Sequence, residues 1–123
     1  MPSLLLPAIS LLSRFMGLKT ISPKDLQVAI ELERVTVIDV NARQRWELAH
    51  IPSAINLDPF HFAASDLPSD TARDLVFYCS NPLCRKAPNA ARRAMQFGYS
   101  SVRVMSAGIS GWLDLQLPTE AVG

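Results

Sequence analysis

The chain has 123 residues, 49% of them hydrophobic and 19% charged, with a formal net charge of +1. That is enough apolar sequence for one cored domain, which argues against disorder, and a near-neutral balance with scattered Lys and Arg points to neither nucleic acid nor acidic surfaces. Only two cysteines are present; they lie close together with no further ligand near in sequence. This excludes a secreted disulfide framework and argues against a zinc site, so no metal or other cofactor is expected and the setting is read as reducing and cytoplasmic.

Leu4–Leu12 is apolar but short, interrupted by Pro7 and preceded by no basic residue, so it is read neither as a signal peptide nor as a transmembrane segment. Residues 1–18 are expected to form an amphipathic arm, helical from Ala8 to Met16. It would pack on its own domain, on a second copy in a homodimer or on another partner, with a loose membrane-surface contact as the alternative. Residues 19–123 are then the single domain.

Thr20-Ile21 is read as a short strand. Ser22-Pro23-Lys24-Asp25 opens a helix: Ser22 suits the N-cap, Pro23 the first helical position and Asp25 the capping-box position. Leu26, Ala29, Ile30 and Glu33 at helical spacing give it a narrow buried face. Val35 to Val40 is β-branched and almost wholly apolar, the signature of a parallel strand buried on both faces. A short helix over Ala42–Ala49 carries Trp46, His50–Ser53 is a turn, and Ala54–Leu57 is a second short strand. Phe60–Ser65 could be helical. Leu75–Tyr78 is the third core strand.

A helix with a stripe of small residues, Ala87, Ala90, Ala91 and Ala94 with Met95, follows. Pro88 fits only its first turn, so it starts near Arg85–Ala87, and Gly98 suits its end. Val102–Met105 is a strand, Ser106–Ile109 a turn, and Ser110–Leu115 a last helix carrying Trp112 in the core. Strands alternating with helices make an α/β class with a mainly parallel sheet.

The chemistry concentrates between Tyr78 and Lys86. Cys79 falls where a buried strand ends and a helix begins, beyond the strand's C-terminal end, where parallel sheets bind ligands. Unpaired N–H groups at a helix start hold anions and favour a thiolate, so Cys79 is read as a nucleophile in an anion-cradling loop. Pro82 has no N–H, leaving Ser80, Asn81, Leu83, Cys84 and Arg85 as loop donors. Arg85 suits an oxyanion clamp, with Lys86 as a second cation. Cys84 is either a resolving thiol for a sulfur on Cys79 or a packing residue. Asp39 and His50 are read as structural, Asp39 bonding backbone N–H groups near Ile51 and His50 bonding Asp39 or capping a turn.

The succession Val37-Ile38-Asp39-Val40, His50-Ile51-Pro52-Ser53-Ala54-Ile55-Asn56, Phe77-Tyr78-Cys79, Ala90-Ala91, Gly98-Tyr99, Gly108-Ile109-Ser110-Gly111-Trp112 and Leu117-Pro118 resembles the rhodanese-like domain over Thr20 to Pro118. The resemblance implies a five-stranded, mainly parallel sheet with helices on both faces. It implies that Cys79 is catalytic: in active relatives this cysteine takes a sulfane sulfur from a donor such as thiosulfate and passes it, as a persulfide, to a thiophile. The partners would be a small sulfur-containing anion and a thiol or cyanide-type acceptor.

Against the family pattern, Asn41 and Arg45 stand where an Arg and an acidic residue usually pair. Ala49, Ser53 and Ala107 replace glycines, and five residues rather than four separate Cys79 from Arg85. That longer spacing resembles rhodanese-fold phosphatases and arsenate reductases. Sulfurtransferase, cysteine phosphatase or arsenate reductase, and a non-catalytic regulatory domain are therefore the three functions the sequence supports.

Overall fold

A computed structural model of the protein describes residues 18–123. The proposed arm therefore lies, apart from Leu18, outside the described residues. Five strands, β1 (Lys19–Thr20), β2 (Val35–Asp39), β3 (Ile55–Asn56), β4 (Asp74–Tyr78) and β5 (Val102–Val104), form one sheet in the order β1-β5-β4-β2-β3. Every pairing is parallel. Among the described residues three α-helices connect strands, α1 (Pro23–Glu31), α2 (Arg43–Leu48) and α3 (Lys86–Gln96), and a fourth, α4 (Gly108–Asp114), follows β5. Among the described residues no helix is long and apolar enough to cross a membrane.

Local chemistry explains the element ends. Ser22 Oγ accepts the Asp25 N–H at 3.1 Å and Pro23 sits in the first turn, so α1 starts where its cap places it. Gly98, at φ +100°, ends α3 in the left-handed region that a Cβ disfavours. Strand parity then divides the core. Leu75 and Phe77 of β4, with Cys79 just beyond it, face α3, meeting Ala87, Ala90, Ala91 and Ala94. Val76 and Tyr78 face the other way, with Leu26 of α1 and Trp112 of α4.

Three sequence expectations shift. Phe60–Ser65 forms no α-helix; only a 3₁₀ turn, Ala64–Asp66, occurs there. Carboxylates hold this stretch as turns, Asp58 Oδ1 accepting the Phe60 N–H at 2.9 Å and Asp66 Oδ2 the Ala63 N–H at 2.8 Å. Met95 leaves the buried stripe of α3 and is 43% exposed, because the i, i+3, i+4, i+7 series passes through Ala94 to Phe97, which packs edge-on to Phe62 at 5.8 Å. Finally, α4 begins at Gly108 rather than Ser110, since the loop after β4 supplies acceptors for its first amides.

Candidate functional site

Tyr78 and Cys79 are consecutive, so the pleat sends them to opposite faces of the sheet. Cys79, 3% exposed, is aimed at the start of α3. That helix has no side-chain N-cap; Arg85 holds the cap position with helical backbone angles. Its first-turn amides are nonetheless all accounted for. The Lys86 N–H bonds to the Cys84 sulfur and the Ala87 N–H to the Cys79 sulfur. Pro88 has none, and the Asn89 N–H reaches Arg85 O at 3.1 Å.

The Ser80 N–H lies against both sulfurs, and the Ser80 side chain against Cys84. Of the five loop amides expected to face a ligand, two are committed inside the loop: Leu83 N–H to Asn81 Oδ1 at 2.9 Å and Cys84 N–H to Asn81 O at 3.1 Å. This Asn81 turn folds Cys84 back over Cys79, whose Sγ lies 3.6 Å from the Cys84 carbonyl oxygen. The donors at the sulfurs are therefore Ser80, Lys86 and Ala87, the last two reached through the helix rather than the loop.

The loop is clamped from the far side by α4. Ile109 N–H donates to Cys79 O at 2.8 Å and Ser110 N–H to Ser80 O at 3.0 Å. Gly108 makes this possible: its φ is +68°, and a Cβ there would stand 2.5 Å from Asn81 N. The neighbouring family glycine, Ala107 here, has an ordinary φ of −62°. The departure at Ala107 therefore costs nothing, whereas Gly108 is fixed by both conformation and space.

Burial, then the hydrogen bond and charge of Cys84, push the Cys79 thiol up to about 12, against the pull of the Ala87 and Ser80 amides. Burial also raises Cys84, but hydrogen bonds from Cys79, the Lys86 and Ser80 amides and the Ser80 side chain outweigh it and hold Cys84 below the usual thiol value. The helix start thus lowers the half-exposed Cys84 while burial keeps the adjacent Cys79 raised, its thiol directed at Cys84.

The cations lie at the rim. Arg85 and Lys86 are exposed, as are Asn81 and Leu83, the latter by 69%. Lys86 also lines a cavity of about 310 Å³ beyond the C-terminal ends of β2 and β3, with Asn41, Asn56, Asp58 and Phe60. Sequence reasoning did not find this cavity. Its signal was indirect: Asn41 and Asn56 tie the two strand ends together, Asn56 Nδ2 donating to Asp39 O at 3.1 Å and to Asn41 O at 2.9 Å.

On the opposite face Asp39 is fully buried but does not bond the Ile51 amide directly. Asp39 Oδ2 accepts from the Tyr78 hydroxyl at 2.5 Å, and that hydroxyl accepts from the Ile51 N–H at 3.1 Å. Asp39 Oδ1 takes the Asn41 N–H at 2.7 Å. Burial raises the carboxyl above its ordinary value, while the Tyr78 and Asn41 bonds oppose the rise. His50 does not bond Asp39; its Nδ1 lies 2.6 Å from Trp46 O and its Nε2 3.8 Å from Glu120.

A model of the rhodanese-like domain matches residues 22–115. The chain is 34% identical over 107 residues to the HTH-type transcriptional regulator Rv0324 of Mycobacterium tuberculosis, covering 80% of this chain and 46% of the relative. It is 27% identical over 93 residues to the thiosulfate:glutathione sulfurtransferase of Saccharomyces cerevisiae, covering 65% and 66% of the two chains. The chain thus spans about half to two thirds of these relatives' lengths. The crystal structure of the BH2092 protein from Bacillus halodurans superposes with a TM-score of 0.78 at 24% identity, over 85% of this chain and 77% of that one.

Proposed function

Because the chain belongs to the rhodanese-like domain family, we propose that it is a sulfurtransferase that carries a sulfane sulfur as a persulfide on Cys79. The observation that carries this reading is the place of Cys79, buried just beyond β4 and facing the start of α3, with the Ser80 and Ala87 amides beside its sulfur. They are placed to hold the negative charge of a persulfide.

With thiosulfate as donor, Cys79 passes its proton to the Cys84 thiolate and its sulfur attacks the outer sulfur of the donor. The S–S bond of thiosulfate breaks, sulfite leaves with the electron pair, and Cys79 holds the persulfide anion. An external thiol or cyanide-type acceptor then removes the outer sulfur and Cys79 regains a proton. In this reading Ser80 and Lys86 amides, with the Cys84 and Arg85 side chains, guide the anion, while exposed Asn81 and Leu83 form the rim an acceptor meets. Two free cysteines fit a reducing, cytoplasmic setting. The division into an arm, 1–18, that contacts a partner or second copy and a domain, 19–123, belongs to the same proposal.

Phosphate ester hydrolysis is less well supported. It calls for a general acid, and the candidates Asp58, Asp66 and Asp70 all accept local backbone N–H groups in their own turns. Asp58 is held below its ordinary value by the Phe60 N–H and by His61, which suits a carboxylate and not a proton donor. The test is incubation of the reduced protein with thiosulfate under anaerobic conditions, followed by acceptor assay and intact mass. Sulfite release and transfer to an acceptor thiol support the proposal; no sulfite release, together with hydrolysis of an aryl phosphate, overturns it.

A further inference from the structure

The loop holds a second thiol whose placement the transfer reaction alone does not require. The Asn81 turn returns the chain so that Cys84 comes beside Cys79 and shares the Ser80 amide with it. Cys79 Sγ is also 3.6 Å from Cys84 O. A sulfur loaded onto Cys79 thus has a thiol beside it before any external acceptor arrives, at the effective concentration that a fixed intramolecular geometry gives. Cys84 is also the more exposed of the two, so a bond formed between them can be reached by a soluble reductant.

Resting on the sulfurtransferase reading, we propose that Cys84 is a resolving thiol that discharges the Cys79 persulfide as hydrosulfide and closes a Cys79–Cys84 disulfide. In the step, the Cys84 sulfur attacks the inner sulfur of the persulfide. The Cys79–Cys84 bond forms, the bond to the outer sulfur breaks, and that sulfur leaves as hydrosulfide with the Cys84 proton. The sulfane sulfur is reduced to sulfide and the two cysteine sulfurs are oxidised, so no other oxidant enters. An external thiol or dithiol then reduces the disulfide by exchange and resets the loop. The Lys86 and Ser80 amides beside Cys84 favour its thiolate, which suits it as the attacking sulfur.

The experiment compares the wild-type chain with Cys84→Ser and Cys84→Ala, two replacements at a surface loop so that a folding defect in one does not decide the result. Each is fully reduced, desalted without oxygen and given limiting thiosulfate or, in parallel, inorganic polysulfide. Intact mass, peptide mapping and sulfide release are read. The wild type is expected to release sulfide and end two hydrogens lighter, with Cys79 joined to Cys84. Both variants are expected to load more slowly, since Cys84 takes the Cys79 proton, but to end one sulfur heavier at Cys79 and to release no sulfide. A wild-type chain that holds its added sulfur as stably as the variants overturns the resolving role and leaves the sulfurtransferase reading standing. No sulfur on Cys79 in any of the three, with either donor, overturns that reading and this step with it.

Discussion

The last two residues to leave the sheet at the end of β4 make opposite use of their faces. Tyr78 enters a closed network, in which the Asp39 carboxylate and the Ile51 amide are both satisfied by one hydroxyl. Cys79 enters a site whose amides converge on sulfur, a weak acceptor, and leave room for something better. A buried polar group that is fully bonded adds rigidity, and one held by strong donors but bearing a weak acceptor adds reactivity. The difference teaches that the strand end is a division of labour: the Tyr78 side fixes β2 to the turn at Ile51, and the rigidity so gained holds the Cys79 side in register.

The largest test of that contrast is Cys79→Ser. It should reduce sulfur uptake from thiosulfate to background, read by intact mass, while the melting transition stays close to wild type because the volume and the amide contacts are kept. Uptake of one sulfur by this variant would move the nucleophile to Cys84 and reverse the assignment of the two thiols.

Gly108→Ala comes next, because it strikes the clamp that holds the sulfur side. Left-handed strain and a Cβ set against the Asn81 backbone should together cost about 3 kcal/mol, read by denaturant unfolding. Sulfur uptake should fall as well, since the loop must move to relieve the contact. Ala107→Gly, which restores the usual doublet one residue earlier, should change stability by less than about 1 kcal/mol. Equal effects at the two positions would remove the clamp from the account.

Tyr78→Phe breaks the inert side. It leaves the buried Ile51 N–H and one Asp39 oxygen without a partner, a loss of about 2 kcal/mol at neutral pH. The pH dependence has a definite sign. Asp39 already sits above its ordinary 3.8, and the hydroxyl is the strongest of the bonds opposing that rise, so its removal raises the carboxyl further. A group raised in the fold gives its full contribution below the unfolded value and loses it as pH rises through the folded one. The variant's deficit should therefore be smallest at acid pH and grow as pH rises past the raised Asp39 value of the wild type. A deficit that does not change with pH would mean the carboxylate is not the group left exposed.

How much of this the sequence shows follows from how local each cause is. The apolar run of β2, the Ser22 cap and the small-residue stripe of α3 act within a few residues, so the α/β order, the parallel sheet and the position of Cys79 could all be read in advance. The resemblance added the five-strand count. What did not show was set by pairs far apart in the chain. Tyr78 meets Asp39 and Ile51, Gly108 meets Asn81, and the first amides of α4 meet Cys79 and Ser80, none with a sequence signature of its own. The opposite shifts of the two thiols were equally hidden: they depend on Cys79 being more deeply buried than Cys84, a difference that five residues of loop do not encode. Met95 differs for a simpler reason: it adjoins Ala94, and it is Ala94 that continues the buried stripe.

The smallest effect concerns a position on neither face. Ser53 stands where the family usually has glycine, and its φ is +70°, so the chain carries a Cβ in the left-handed region. That conformation costs a residue with a Cβ about 1–2 kcal/mol, and the greater freedom of glycine in the unfolded chain returns roughly half of it. Ser53→Gly should therefore raise stability by about 0.5 kcal/mol, a few degrees in melting temperature at most. The Ser53 N–H to Glu120 Oε1 bond, at 2.9 Å, is made by the backbone and is kept. Ala49, the other replaced glycine, has an extended φ of −163° that any residue adopts. Ala49→Gly should accordingly destabilise slightly, through lost side chain and added unfolded-state freedom. Opposite signs at these two positions would show that the family's glycines answer to backbone geometry one by one; the same sign at both would mean that the turn around Ile51, which the Tyr78 network holds, tolerates more than its angles imply.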